Sequence, residues 1–191
     1  MQFKTTKPDW FARHIPVWLE HLAPLLQGQP LNALEVGSYE GRSACWTLEN
    51  ILRHPTSTLT CIDPWDGLDP ALGNDTIPAE ARFDANTQQY SSKLIKLKGR
   101  SINRLAQLIQ EEKLFDLVFI DGDHEGQSAL TDLCMTWPLL KVGGYLLFDD
   151  YRWVSDRVRV LPRVAWDAFA AMQPAMKVIH TFRQQIAVRV K

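Results

Sequence analysis

The sequence has few of the features that mark extracellular, membrane or nucleic-acid-binding proteins. Its only three cysteines, Cys45, Cys61 and Cys134, are widely spaced and form no CxxC pair, so neither a disulfide framework nor a zinc site is expected. It shows no signal-peptide pattern at its start, and no apolar run approaches the roughly 18 residues of a membrane span. The formal net charge is -1 without a block of lysine or arginine, so nothing indicates nucleic acid or a membrane as a partner. We therefore expect a soluble cytoplasmic protein.

Five short apolar runs along the chain predict buried strands. Between most of them lie segments in which apolar residues recur with the 3.6-residue period of a helix. Strands that alternate with helices predict an α/β fold with a parallel sheet covered on both faces. The five runs span residues 31–36, 58–62, 94–98, 115–120 and 145–148.

The two ends of the chain depart from this alternation. A helix near residues 164–172 precedes two strand-like segments, which predict a terminal antiparallel hairpin and a mixed sheet. At the start, apolar residues at helical spacing are interrupted by Pro16 and Pro24, which predicts a broken helical cap. Residues 63–86 are rich in Pro, Gly and Asp, and are read either as a long functional loop or as a lid with a short helix.

The end of the first strand runs into the motif LEVGSYEGRS, residues 34–43. Gly37 and Gly41 allow a tight turn, and Glu35 places a carboxylate where open α/β sheets bind ligands. The motif is not the dinucleotide fingerprint GxGxxG, because Tyr39 occupies the middle glycine position. The acids Glu35 and Glu40 suit a cationic ligand, although the segment also fits a purely structural turn.

The second and third strands carry polar residues at the same predicted edge of the sheet. Asp63, in CIDPW, is placed to accept hydrogen bonds from ribose hydroxyls, and Trp65 to offer a stacking face. The third strand ends in KGRS, whose Ser101 is a candidate base contact or simply the N-cap of the next helix.

Together with FDLVFIDGDHE and LLKVGGYLLFDDY, these motifs resemble a class I S-adenosylmethionine-dependent methyltransferase of the metal-dependent O-methyltransferase-like group, which includes catechol and macrocin O-methyltransferases. The resemblance covers residues 31–151 and implies a Rossmann-like fold: a mostly parallel seven-stranded sheet with a C-terminal antiparallel hairpin and an N-terminal helical cap. It implies one domain, residues 1–191, with a cap at 1–28, a cofactor-binding core at 29–151 and a C-terminal helix and hairpin at 152–191. It also implies a cofactor site for S-adenosyl-L-methionine formed by Glu35, Gly37, Ser38, Tyr39, Gly41, Ser43, Asp63, Pro64, Trp65, Gly99, Arg100, Ser101 and Asp121.

Three acids follow the fourth and fifth strands: Asp121, Asp149 and Asp150. At one edge of a parallel sheet these carboxylates would repel one another unless a cation lay between them. An all-oxygen ligand set favours a hard divalent cation, most of all Mg²⁺. Asp149 and Asp150 can share an ion only if the strand ends by Phe148, because side chains alternate between the faces of a strand. The same acids also fit solvated loop residues or helix N-caps.

His124 lies three residues after Asp121 and has a side chain suited to accept a proton at neutral pH. By resemblance, His124 is the general base and Asp121 assists it at the catalytic centre, where a metal would activate a hydroxyl acceptor. Asp123 has three candidate roles: to tune His124, to reach the metal through water, or to cap the following helix. The remaining histidines, His14, His21, His54 and His180, have no partner spacing and are read as surface or packing residues.

We therefore predict methyl transfer to a hydroxyl oxygen of a small molecule. Base methylation is disfavoured because DGDH stands where amino-methylating enzymes carry an Asn/Asp-Pro-Pro-aromatic segment. Two alternatives stay open: a protein that binds the cofactor without turnover, and an N-methyltransferase that uses no metal. The acceptor's identity is not encoded in a recognisable motif, and a homo-oligomer is a further possibility because Trp10 and Trp18 lie in the cap.

Overall fold

The computed structural model describes residues 8–66 and 79–191. The strands in these ranges are β1 (Asn32–Val36), β2 (Thr58–Asp63), β3 (Leu94–Lys98), β4 (Phe115–Ile120), β5 (Leu140–Phe148), β6 (Met176–Thr181) and β7 (Gln185–Arg189). They form one sheet in the order β3-β2-β1-β4-β5-β7-β6. Strands β1 to β5 pair in parallel, and β7 runs antiparallel to both β5 and β6. The predicted mixed sheet with a C-terminal hairpin is confirmed.

Helices connect the parallel strands and cover the sheet. The described α-helices are α1 (Ile15–His21), α2 (Arg42–Asn50), α3 (Ala79–Thr87), α4 (Ser101–Gln110), α5 (Gly126–Thr136) and α6 (Pro162–Ala171), with 3-10 helices at Phe11–His14, Ala23–Gln27, Gln88–Tyr90 and Trp137–Leu139. Pro16 and Pro24 lie in the first turns of α1 and of the second 3-10 helix, where a missing N–H costs nothing. The cap is therefore broken at its prolines, as the sequence predicts. Of the segment read as a loop or lid, residues 67–78 lie outside the described residues.

The core has two parts, one on each face of the sheet. Residues 117–120 of strand β4 are all apolar because Leu117 and Phe119 pack into one part of the core while Val118 and Ile120 pack into the other. The first part contains Trp18 of α1 and residues of α2, and the second contains residues of α4, α5 and α6. A strand buried on both faces loses the alternation of polar and apolar residues.

None of the described helices is long and apolar enough to cross a membrane.

Strand β5 is longer than its apolar run predicts, since it begins at Leu140 rather than at Tyr145. The pairing with β4 shifts register between Phe115 and Leu117, and Gly143 has φ of 82° within this irregular part. A glycine adopts this angle without the clash that a side chain would meet. The strand ends at Phe148, which meets the condition for Asp149 and Asp150 to lie near one site.

Candidate functional site

A cavity of about 1030 Å³ opens at the carboxyl ends of the parallel strands. Gly37, at the end of β1, forms its most constrained point. It has φ of 86°, and a Cβ added there would lie 1.9 Å from the carbonyl oxygen of Asp121. Only glycine lets the turn after β1 approach the end of β4 this closely. The cavity therefore lies where open α/β sheets bind their ligands.

The carboxylate of Asp63 holds the turn that follows β1. Its Oδ2 accepts hydrogen bonds from the backbone N–H groups of Ser38 and Tyr39, both at 2.9 Å, and its Oδ1 accepts one from Trp65 at 2.7 Å. Burial raises the pKa of Asp63, and these three hydrogen bonds oppose the rise. A carboxylate has about four acceptor sites, so little capacity is left for the two predicted ribose contacts, which stay a prediction.

Trp65 lines the cavity, and its ring also packs against other side chains. The side chain of Trp65 is almost completely buried. The centroid of its ring lies 4.7 Å from the centroid of the Phe83 ring and 4.7 Å from Lys96 Nζ. Its Nε1 donates to the carbonyl oxygen of Tyr39 at 2.8 Å. Trp65 therefore supports the Tyr39 turn, and its predicted stacking on a ligand stays a prediction. Its contacts with Phe83 and Lys96 could not be predicted from the sequence.

Glu35 lies behind the cavity wall, almost completely buried. The Ser43 hydroxyl donates a hydrogen bond to its Oε1, and Cys61 Sγ lies 3.8 Å from its Oε2. Burial raises its pKa to about 8, although hydrogen bonds from Ser43 and Cys61 oppose the rise. Glu35 is therefore mostly protonated at neutral pH and acts on the cavity through Ser43, which does line it.

Most of the other predicted cofactor residues line the cavity, and two of them lie behind its wall, as Glu35 does. Gly41 and Gly99 lie outside the wall, where added Cβ atoms would come within 3.0 Å of Phe83 and of Arg104 respectively. The predicted cofactor residues that line the cavity are Gly37, Ser38, Tyr39, Ser43, Asp63, Pro64, Trp65, Arg100, Ser101 and Asp121.

Three of the predicted chemical residues meet at one side of the cavity. One ligand atom from each of Asp121, His124 and Asp150 lies within 4.8 Å of the others, and His124 Nε2 lies 2.7 Å from Asp150 Oδ2. Burial, followed by the charges of Asp149 and Asp150, raises the pKa of Asp121 well above its usual range. A buried carboxyl whose pKa is raised by neighbouring carboxylates is a group that a divalent cation would stabilise.

Asp149 also lines the cavity, next to this group, and contacts the N-terminal cap. Its Oδ2 lies 3.0 Å from Nε2 of His14, and both side chains are only 6% exposed. Its Oδ1 accepts the backbone N–H of Asp150 at 2.8 Å. His14, for which the sequence suggested no partner, thus contacts a predicted metal ligand. A sequence pattern could not predict this contact, because the two residues are far apart in the chain.

The N-terminal segment itself forms part of the cavity wall. The rings of Trp10 and Tyr39 stack with centroids 6.3 Å apart, and Asp9 pairs with Arg42 at 2.9 Å. Arg13 approaches Asp150 to 4.0 Å. The cap therefore closes the cavity over the turn after β1 and beside the acidic group.

Sequence reasoning also missed residues on α4, on α5 and after β5. Ile102, Ser128, Thr131 and Asp132 line the cavity, but each reads in the sequence as an ordinary helix residue. Trp153 lies with its ring centroid 4.7 Å from that of His124. No motif or spacing in the sequence pairs Trp153 with His124.

The chain is similar to several known proteins. Residues 34–151 match the family model described as a methyltransferase domain. An uncharacterised protein of Acanthamoeba polyphaga mimivirus is 26% identical over 175 residues, which cover 84% of this chain and 71% of that protein. An O-methyltransferase from Bacillus cereus, solved in complex with S-adenosylhomocysteine, is 14% identical with a TM-score of 0.63 over 98% of this chain and 94% of that one.

A second solved structure is the MycE methyltransferase of the mycinamycin biosynthetic pathway, in complex with Mg, S-adenosylhomocysteine and mycinamycin VI. It is 14% identical with a TM-score of 0.68, covering 98% of this chain and 51% of that one. Similarity at this level of identity establishes the fold. Because the family model spans more than half of the chain, the chain belongs to the methyltransferase domain family and has the fold of the class I S-adenosylmethionine-dependent methyltransferases.

Proposed function

We propose that this methyltransferase transfers a methyl group from S-adenosyl-L-methionine to a hydroxyl oxygen of a small molecule, with the help of a divalent cation. The observation that carries the proposal is the meeting of Asp121, His124 and Asp150 at one side of the cavity. Two proteins of the same fold support it: an O-methyltransferase and a methyltransferase solved in complex with Mg.

The residues present suit both the cofactor and the cation. The Gly37 turn leaves a cradle that a Cβ would fill, and Asp63 fixes the N–H groups of that turn. Asp121 and Asp150 are the proposed cation ligands beside His124, and Asp149 is the third. When bound, S-adenosyl-L-methionine supplies an electrophilic methyl group, and a divalent cation lowers the pKa of an acceptor hydroxyl.

In the proposed mechanism, His124 takes up the hydroxyl proton on the ring nitrogen that does not donate to Asp150, whose Oδ2 lies 2.7 Å from Nε2. Asp150 orients the imidazole, and the Trp153 ring packs beside it. The N-terminal segment excludes water from the cavity and lies beside the same acids through Arg13. We place the acceptor between this segment and Trp153, which restricts it to a small molecule.

The first test is calorimetric titration of S-adenosylhomocysteine into the protein, with and without Mg²⁺. We expect micromolar binding that weakens in Asp63→Ala, because two N–H groups of the Gly37 turn lose their acceptor, while the exposed Glu20→Ala retains wild-type affinity. Absence of binding under both conditions would overturn the proposal.

The chemical step is tested by turnover with a panel of hydroxyl compounds. We expect a loss of activity on chelation of the metal and in His124→Ala. Full activity in His124→Ala would remove the base assignment, and an unchanged rate with chelator would remove the cation. Tight cofactor binding without turnover on any hydroxyl or amine would favour the non-catalytic alternative.

A further inference from the structure

The N-terminal cap contributes a positively charged side chain to the cavity, next to the proposed catalytic histidine. Arg13 lines the cavity, and its side chain is 43% exposed. Its Nη2 lies 4.0 Å from Oδ1 of Asp150, and the other oxygen of Asp150 lies 2.7 Å from His124 Nε2. Because Arg13 and His124 lie at opposite oxygens of one carboxylate, one small molecule can reach both side chains.

Arg13 differs from the other two arginines of the cavity wall, Arg42 and Arg100, because it has no close carboxylate partner. Arg42 pairs with Asp9 and Arg100 pairs with Asp66, each at 2.9 Å, which is a distance typical of charge-assisted hydrogen bonds. In the part of the chain that the structure describes, no carboxylate lies this close to Arg13. The Nε of Arg13 lies 3.3 Å from a ring nitrogen of the neighbouring histidine. Since a guanidinium carries five N–H donors, Arg13 retains the donors of its terminal nitrogens for a ligand.

The charges around Arg13 leave one place for an anionic group of an acceptor. Carboxylates of Asp121, Asp123, Asp149 and Asp150 line the same side of the cavity, and they repel an anion that approaches them. A guanidinium matches the geometry of a carboxylate and binds it through two parallel hydrogen bonds. A negatively charged acceptor is therefore favoured in one orientation, with its anionic group at Arg13.

Aromatic side chains in the same part of the wall favour an acceptor with a flat ring. The rings of Trp10 and Tyr39 stack, and the ring of Trp153 packs beside His124. All four of these residues line the cavity. Aromatic side chains bind other flat rings by stacking or by edge-to-face contact, so the cavity suits an aromatic ring between the cap and Trp153.

We propose that the methyl acceptor is a small hydroxylated aromatic acid, whose carboxylate pairs with Arg13 while its hydroxyl lies at His124. This inference rests on the proposed function, since it assumes that His124 receives the hydroxyl proton of an acceptor. It names the substrate class and makes Arg13 a specificity-determining residue, separate from the residues that hold the Gly37 turn.

The test is calorimetric titration of hydroxybenzoates into protein saturated with S-adenosylhomocysteine and Mg²⁺. The 2-, 3- and 4-hydroxy isomers cover different spacings of the two groups, and each is compared with its neutral hydroxybenzamide. We expect the wild-type protein to bind at least one acid about tenfold more tightly than its amide, because a hydrogen bond to a charged group is stronger than one to a neutral group.

Variants assign this preference to Arg13. In Arg13→Gln the ratio should fall to unity or below, because the acids of the wall remain and repel the carboxylate. Arg13→Lys keeps the positive charge and should retain part of the preference. Arg163→Gln removes an exposed arginine that does not line the cavity and should keep the wild-type ratio.

The outcomes separate this inference from the proposed function. If the wild-type protein binds no hydroxybenzoate more tightly than its amide, the inference is overturned, and this comparison needs no variant to fold. Tighter binding of hydroxybenzylamines than of the acids would overturn it as well, as would a preference that persists in a folded Arg13→Gln. Each of these results is obtained on cofactor-loaded protein and so leaves the proposed function intact, whereas failure to bind S-adenosylhomocysteine would overturn both.

Discussion

Nε2 of His14 lies 3.0 Å from Oδ2 of Asp149, in a contact that is buried on both sides. It joins the 3-10 helix of the N-terminal cap to the residue that directly follows β5. Asp149 would otherwise be a buried carboxylate close to two others, so His14 compensates for much of the cost of its burial.

Replacement of His14 by alanine should therefore destabilise the protein. We expect a loss of about 2 kcal/mol in the free energy of unfolding, since a buried acceptor loses its partner. Urea denaturation measures this change. Arg13→Ala removes a neighbouring but exposed pair with Asp150 and should cost less than about 1 kcal/mol; equal losses in the two variants would contradict the importance of the buried contact.

Asp150 and Asp149 should differ in their importance for cation binding. Both oxygens of Asp149 are already engaged, one with His14 and one with a backbone N–H, whereas Asp150 belongs to the group with Asp121. We expect Asp150→Asn to weaken Mn²⁺ binding more than Asp149→Asn does. The fraction of free Mn²⁺ seen by electron paramagnetic resonance measures this difference, and the reverse order would make Asp149 the principal ligand.

The buried Glu35 should make stability depend on pH. Its pKa is about 8 in the folded protein against 4.5 as the ordinary value, so between these values the folded state binds the extra proton. The free energy of unfolding should fall as pH rises through this window, by up to about 1.4 kcal/mol per pH unit. Denaturation at several pH values should show a flatter profile for Glu35→Gln, while the exposed Glu111→Gln should retain the wild-type slope.

Glu125 should hold the segment that follows β5. Its carboxylate accepts the backbone N–H groups of Arg159 and Val160, each at 3.0 Å, and these bonds lower its pKa. In Glu125→Ala we expect faster hydrogen exchange at both amides, as measured by NMR. Gln127→Ala, at an exposed position in the helix that begins directly after Glu125, should leave these rates unchanged; slow exchange in both variants would mean that other contacts hold the segment.

The strands were the most predictable part of the fold, because burial on both faces leaves a continuous apolar run, as in β4. The start of β5 was not predictable, since Gly143 and Gly144 resemble a turn when only neighbouring residues are considered. In the site, the strand-end motifs correctly indicated the cavity edge. The sequence could not show which of Asp149 and Asp150 faces Asp121, because that depends on the φ of 57° at Asp150 and on the distant His14.

Asp132 and Trp65 show two further limits of sequence reasoning. Asp132 belongs to no motif, because its place in the cavity wall depends on how α4 packs on α5. Trp65 follows a strand-end acid, but the sequence could not show that Phe83 of α3 packs against its ring. In both cases, side chains from other elements determine what the residue can contact.

The bond between Trp18 Nε1 and Gln184 Oε1, at 2.6 Å, connects α1 to the turn of the terminal hairpin. The N-terminal segment that lines the cavity is thus held by a residue 166 positions later in the chain. While the chain emerges from the ribosome, the cap has no hairpin to pack on, and contacts between distant segments are slow to form. We therefore expect the nascent chain to form its central strands first and to gain a closed cavity only after the hairpin has been released.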